Sequence, residues 1–191
     1  MNKGSMGCLV LFGVIFLIAL VAGGTVMSRY NGMVRQNEQI DSAWAQVKVV
    51  LQRRADLIPN LVETVKGYAT HEKEVFEKVA EARSRLAGAA TPQEAAAANA
   101  GLSSALGRLL AIAENYPDLK ANVNFIRLQD ELAGTENRIA NERRTYNETV
   151  RGYNAYIKTF PNNFISGMFG FKARDYFEAD EAAKEAPKVK F

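Results

Sequence analysis

The sequence has little of the chemistry on which most enzyme sites depend. Of its 191 residues, one is cysteine and one is histidine, Cys8 and His71. A single cysteine excludes an internal disulfide framework, and these counts exclude multi-cysteine and multi-histidine metal sites. The 24 basic and 21 acidic residues are mixed, without the block of like charge that a nucleic-acid-binding arm carries. The composition therefore predicts no cofactor, no metal and no nucleic-acid partner.

Prolines are also few, five in the chain, and long stretches without proline favour long helices. Apolar residues recur at three- and four-residue spacing, and no segment alternates as a strand does. The helical segments are 28–87, 92–116 and 121–160. Pro59 lies inside the first, so we expect a kink or short break near Asp56–Pro59. Thr91, Pro92 and Glu94 have the pattern of a capping box that begins the second.

The longest uncharged run lies at the N-terminus. No charged residue occurs from Gly4 to Ser28, and residues 8–22 are almost purely apolar. A helix needs about 20 apolar residues to cross the hydrocarbon core, so we expect an uncleaved, single-pass anchor in the cell membrane. A cleaved secretion signal is the alternative, but the cleavage pattern near Gly23 is poor. Ala19 and Gly23 have a spacing that lets membrane helices approach closely, although small residues are common in such helices anyway.

The charges that flank this run do not set its orientation. Lys3 precedes the anchor and Arg29 and Arg35 follow it, which nearly balances the positive-inside rule. Tyr30 is well placed to mark the membrane interface. We predict an all-α fold, in which the transmembrane helix continues into an elongated antiparallel bundle of a long kinked helix plus two further helices. The expected domains are an anchor at 1–28, a helical-bundle domain at 29–177 and a flexible tail at 178–191.

Polar motifs in the helices have structural interpretations. His71-Glu72 begins an H-E-x-x-H pattern, but Val75 replaces the second histidine, so we expect a surface histidine. Arg54 falls on the apolar stripe, where a buried charge needs a partner, and we expect an ion pair with Glu142. The alternative is that Arg54 binds a partner protein through its charge. Asparagines in the last helix either set the register of the bundle or form an interaction face. They are Asn122, Asn124, Asn137, Asn141, Asn147 and Asn154.

The segment from Phe160 to Phe177 is the strongest candidate interaction site. It concentrates apolar residues outside the helical period, and its two glycines let the backbone turn. One interpretation is a cap that closes the end of the bundle. The other is a docking strip for lipid, a second protomer or a partner, with basic residues placed for anionic headgroups or acidic side chains. The candidate residues are Phe164, Met168, Phe171, Lys172 and Arg174.

Four stretches in order along the chain resemble the LemA family. They are 53–72, which reads RRADLIPNLVETVKGYATHE, then 113–129, 136–147 and 153–171. The resemblance implies a bacterial protein with one N-terminal transmembrane segment and a helical-bundle body. It implies no catalytic residue. Some members have the N-terminus outside and the body in the cytoplasm, and we lean to that orientation here.

The sequence favours a membrane-anchored, non-enzymatic scaffold or adaptor that assembles with itself, with an unidentified membrane protein or with the lipid bilayer. Self-association would use the anchor, at Ala19 and Gly23, and the bundle. The alternative is a higher-order membrane-shaping or envelope-stress assembly whose body contacts lipid. A hydrolase or metalloenzyme is the third hypothesis, and stoichiometric metal in the purified protein would favour it.

Overall fold

The computed structural model describes residues 3–69 and 71–178, with side chains from residue 11 onward. Within these residues there are six helices and no strand, which confirms the all-α prediction. The helices are α1 (Lys3–Lys66), α2 (Lys73–Gly88), α3 (Pro92–Ala113), α4 (Pro117–Lys120), α5 (Val123–Lys158) and α6 (Asn162–Phe169). An extended segment at 171–178 follows α6. Nearly all of the predicted tail, residues 179–191, lies outside the described residues.

The chain forms two compact units. The first, here called the anchor unit, comprises residues 3–40 and 151–174. The second, here called the core unit, comprises residues 41–150, apart from residue 70, and 175–178. This division cuts across α1 and α5, so the anchor predicted for 1–28 belongs to a unit that also contains the C-terminal part of the chain.

The anchor unit pairs the N-terminal part of α1 with the C-terminal part of α5. Its buried apolar side chains are Met33, Ile40, Tyr153, Ile157 and Ile165. The two helices come close at Gly32, where an added Cβ atom would lie 2.8 Å from the hydroxyl oxygen of Tyr156. Glycine at this position therefore permits the close approach.

The core unit has its own apolar centre, supplied by five helices. Fully buried side chains include Val47, Ile58, Leu61, Val79, Leu102, Leu109, Leu119 and Phe125. The predicted capping box is confirmed at the start of α3. The Thr91 hydroxyl accepts from the Glu94 amide at 3.2 Å, and the Glu94 carboxylate accepts from the Thr91 amide at 3.2 Å. Such reciprocal bonds satisfy amides that have no partner within the helix.

Pro59 does not break α1, so the expected break there is wrong. Proline has no amide hydrogen, which leaves the carbonyl of Ala55, four residues earlier, without its helical donor. The Nε of Arg83 on α2 donates to that carbonyl at 2.8 Å. The predicted single helix to residue 87 is instead divided: α1 ends at Lys66, a turn follows at Gly67 and Tyr68, and α2 begins at Lys73.

Candidate functional site

The N-terminal part of α1 has the character of a membrane span. Its most apolar window has a mean hydropathy of 2.3, and none of that window is buried within the protein. Of the described residues, α3 is the second helix long and apolar enough to span, with a mean hydropathy of 1.2. Leu102, Leu106 and Leu109 of α3 are buried in the core unit. The first helix therefore has the free apolar surface that lipid contact requires, and the second uses much of its own for packing.

Ala19 and Gly23 lie one helical turn apart on the exposed surface of α1. A Cβ atom added at Gly23 would meet no atom within 4 Å, and the same holds for Gly24. The small-residue pair is thus accessible to a second helix.

The segment that follows the last predicted helix contains a short helix, α6. Its outward surface is apolar: Phe160, which precedes the helix, is 80% exposed, Phe164 is 66% exposed and Met168 is 71% exposed. Phe164 and Met168 are four apart on one face of α6, and Phe160 lies beside Phe164, just before the helix begins. The rings of Phe160 and Phe164 meet edge to face with centroids 6.0 Å apart. We call Phe160, Phe164 and Met168 the outer face of α6.

The opposite face of α6 is partly polar and turned toward the protein. Asn162 donates to the carbonyl of Tyr156 at 2.9 Å, and Ser166 donates to the carbonyl of Ile157 at 3.1 Å. These carbonyls lie in the last turn of α5, where the helix itself supplies no donors. The inner face therefore closes the end of α5. Gly170, with φ of 76°, ends α6 in the left-handed conformation that glycine adopts without strain.

The end of α6 contacts α1 just beyond the apolar run. The Tyr30 ring lies 4.9 Å from that of Phe169 and 5.5 Å from that of Phe171, centroid to centroid, both edge to face. Such pairs add stability beyond the area that they bury. Phe171, predicted as an interaction residue, is thus partly covered by Tyr30, whereas Phe164 and Met168 are open.

The two predicted basic residues have different surroundings. Lys172 is exposed. Arg174 donates to the side chain of Asn37 at 3.1 Å, and its backbone is held by Asn154. The Asn154 side chain donates to the Arg174 carbonyl at 2.9 Å and accepts from its amide at 2.8 Å. Arg174 therefore helps to hold the anchor unit together.

Asn147 makes the same paired contact within the core unit. It donates to the carbonyl of Phe177 and accepts from its amide, each at 2.8 Å. Phe177 is buried, with its ring centroid 6.3 Å from that of Trp44. Two asparagines of α5 thus bind the backbone of the extended segment, a role that neither sequence interpretation included. The sequence did hold one indication of this role. Asparagine has a low helix propensity, so several asparagines in one helix indicate that their side chains have a specific structural function.

Arg54 is buried and paired, but Glu136 is its partner, and the prediction of Glu142 is wrong. Its guanidinium lies 2.5 Å from the Glu136 carboxylate and donates to Asn99 and Ser103 at 2.5 and 3.0 Å. The Arg54 side chain is 6% exposed and that of Glu136 is 49% exposed. Burial lowers the pKa of Arg54, and the charge of Glu136 opposes this shift. Arginine stays protonated even so, and the site is an ion pair with one hydrated partner.

The described residues contain no group of three or more His, Cys, Asp or Glu side chains able to hold a metal ion. His71 is exposed. A groove of about 990 Å³ lies beside α2 and α3, lined by small residues such as Ala98 and Gly101. Two ion pairs within α2, Glu74–Lys78 and Glu81–Arg85, lie along it. These pairs are exposed and of the kind that stabilises a solvated helix face.

The sequence model of the LemA family matches residues 43–191. The chain belongs to the LemA family. Protein LemA of Metamycoplasma hominis is 26% identical, over 81% of this chain and 71% of that protein. Two proteins named as magnetosome proteins are also similar, MamQ 2 of Paramagnetospirillum magneticum and MamQ of Magnetospirillum gryphiswaldense. Each is 27% identical, over 99% of this chain and 78% of the relative.

These comparisons confirm the resemblance to the LemA family that the four sequence stretches indicated. The LemA match begins within α1, past the apolar run, whereas the magnetosome proteins align over nearly the whole chain. Together with the free apolar surface of α1, the comparisons support association with a membrane. The names of the family and of these relatives denote no enzymatic activity.

Proposed function

We propose that this LemA-family protein is a single-pass, membrane-anchored scaffold or adaptor without enzymatic activity. It assembles with itself through the anchor and with other membrane proteins through its helical body. The domain division 1–28, 29–177 and 178–191 is part of this proposal.

One observation carries it. A single uninterrupted helix, α1, begins with an apolar stretch of which none is buried and continues into Met33 and Ile40, which are wholly buried. The same element thus supplies a surface suited to lipid and part of a protein core. Because α1 is continuous, it attaches the helical body directly to the membrane. This attachment supports a role in assembly at the membrane.

The anchoring is tested by alkaline carbonate extraction and by sequencing the mature N-terminus. We expect the protein to stay with the membrane fraction and to retain the residues before Gly23. A soluble species that begins near Gly23 would show a cleaved signal and contradict the proposal.

Self-association is tested by light scattering of the full-length protein in mild detergent. Ala19 and Gly23 leave room for a close helix contact, so Gly23→Leu should lower the measured mass. Gly24→Leu is the matched control, because position 24 is equally open and lies outside the Ala19–Gly23 pair. A monomeric mass for the unaltered protein, or equal effects of both substitutions, would contradict association through this pair.

We further propose that the body lies on the cytoplasmic side. Among residues 28–40 and 151–174 there are six Lys and Arg residues and one acidic residue, Glu38. The cytoplasmic leaflet carries anionic lipids that attract such a surface. A cysteine placed at the exposed position Val123, in a Cys8→Ser background, tests the side. A membrane-impermeant maleimide should label it only after lysis, and labelling in intact cells would reverse the assignment.

The second candidate, a higher-order assembly whose body contacts lipid, is favoured by the exposed outer face of α6. Electron microscopy of the purified full-length protein separates the two. Rings or cages support the assembly, and single particles of low mass support the scaffold.

A further inference from the structure

We propose that the outer face of α6 inserts into the headgroup region of the membrane that α1 spans. The proposed occupant is an anionic lipid bilayer, with the aromatic side chains at the boundary of the acyl chains. The inference rests on the membrane anchoring proposed above and adds a second contact between protein and lipid.

α6 exposes more apolar surface than a helix on a water-soluble surface does. A surface helix normally turns apolar side chains inward and polar ones outward. In α6, Asn162 and Ser166 face inward, where their side chains bond to the end of α5. The outer face carries two phenylalanines and a methionine, each at least 66% exposed. The exposed face fits an apolar environment outside the protein, while the inner face packs through Ile165 as well as through these polar contacts.

Contacts within the anchor unit put α6 at the membrane edge. Tyr156 of α5 lies beside Gly32 of α1. Asn154, two residues earlier in α5, binds Arg174, whose side chain donates to Asn37, five residues later in α1. The two helices therefore run antiparallel. Asn162, the first residue of α6, donates to the carbonyl of Tyr156 at 2.9 Å, which brings this end of α6 near the level of Gly32.

The other end of α6 lies at a similar level, because Phe169 packs on Tyr30. Both ends of the helix are therefore near α1 residues 30–32, just beyond the end of the apolar run. It follows that α6 lies across the direction of α1, as an interfacial helix lies in the plane of a membrane.

The charge around α6 suits anionic headgroups. From Arg151 to Arg174 there are four basic residues and no acidic one. Lys158 and Lys172 flank the helix and are exposed. By contrast, residues 41–150 contain 14 basic and 15 acidic residues. Each basic group near an anionic surface adds an attraction that weakens with salt. This local excess favours lipid over an uncharged protein surface as the occupant.

The test places a fluorophore at single cysteines in full-length protein reconstituted into vesicles that contain phosphatidylglycerol and phosphatidylcholine. The native cysteine is first removed by Cys8→Ser. Phe164→Cys and Met168→Cys report on the outer face. Leu17→Cys marks the membrane span, and Val123→Cys is an exposed apolar position in the core unit, 77% exposed. Quenching by spin-labelled lipids is measured for each, and circular dichroism checks that each variant keeps its helicity.

We expect lipid quenching at positions 164 and 168 to exceed that at 123 severalfold, and to fall when phosphatidylglycerol is omitted or salt is raised. Quenching no greater than at position 123 would overturn the inference. If dilution with unlabelled protein changes the emission at 164 while lipid quenching stays low, a second copy covers the face and the lipid assignment is wrong. If position 17 is not quenched, the proposed membrane anchoring is wrong. If position 17 is quenched but positions 164 and 168 are not, only the proposal for α6 is wrong.

Discussion

Arg83 should stabilise the protein chiefly because Pro59 is present. The carbonyl of Ala55 has no helical donor, because proline at position 59 lacks an amide hydrogen. The Nε of Arg83 donates to this carbonyl instead, at 2.8 Å. Ala55 is 1% exposed, so water has little access to its carbonyl as an alternative donor. Arg83→Met keeps much of the length of the side chain but removes the donor. Leaving a buried carbonyl unpaired costs about 1–3 kcal/mol, and we expect about 2 kcal/mol for this substitution.

The same substitution should cost far less in a Pro59→Ala background. An alanine at position 59 restores the amide, which can donate to the Ala55 carbonyl in the ordinary helical geometry. We expect about 0.5 kcal/mol there, and hence a coupling of about 1.5 kcal/mol between the two positions. For a chain of this size, the shift in melting temperature should be about 4–8 °C in the first case and about 1–2 °C in the second.

Circular dichroism of the full-length protein in mild detergent measures all four proteins of this cycle. Arg85→Met is the matched control on the same helix, because the Arg85 side chain is 72% exposed and pairs with Glu81 one turn away. An exposed pair of this kind contributes about 0.5 kcal/mol or less. If Arg83→Met costs the same in both backgrounds, the carbonyl released by Pro59 is not what Arg83 stabilises.

Three further predictions concern polar contacts. Glu136→Ala should destabilise the protein by about 3 kcal/mol and Arg54→Met by about 1 kcal/mol, because the first leaves a buried guanidinium without its opposite charge and the second leaves a hydrated carboxylate. Equal losses in melting experiments would refute this asymmetry. Asn154→Ala should cost about 2 kcal/mol through its two bonds to Arg174, and an unchanged melting temperature would contradict that role. Backbone amides lower the pKa of Glu94, so its stabilisation exists above the unfolded pKa and is lost as pH falls through the folded pKa. Amide-exchange protection at the start of α3 should fall accordingly in acid, and constant protection would contradict it.

Periodicity and capping predicted two of the helices closely. α3 and α5 begin and end within three residues of the predicted segments 92–116 and 121–160, and the Thr91 capping box marked the start of α3, whereas the predicted segment 28–87 is divided between α1 and α2. The break was misplaced because the effect of Pro59 depends on a donor from another helix, Arg83, which local pattern does not reveal. Gly67, where the turn occurs, was a signal in the sequence that was overlooked.

The candidate site could be predicted in part. The concentration of aromatic residues after Phe160 identified the segment, but not which of its residues face outward. That distinction depends on polar contacts of Asn162 and Ser166 with α5, and on the packing of Phe171 against Tyr30. The partner of Arg54 was missed for a related reason. Glu136 lies off the apolar stripe, and only the relative rotation of α1 and α5 brings it within 2.5 Å.

The composition of the anchor unit has a consequence for how the protein is made. Its two halves, residues 3–40 and 151–174, are separated in the chain by residues 41–150. The ribosome therefore delivers the second half only after all of that intervening chain. Contacts between residues so distant in sequence form slowly, because the intervening loop must first be closed. Folding of residues 41–150 shortens that loop, so we expect the contact of α6 with Tyr30 to form late in folding. A chain that ends prematurely before Arg151 would have the first half of the unit without its counterpart, leaving Met33 and Ile40 uncovered.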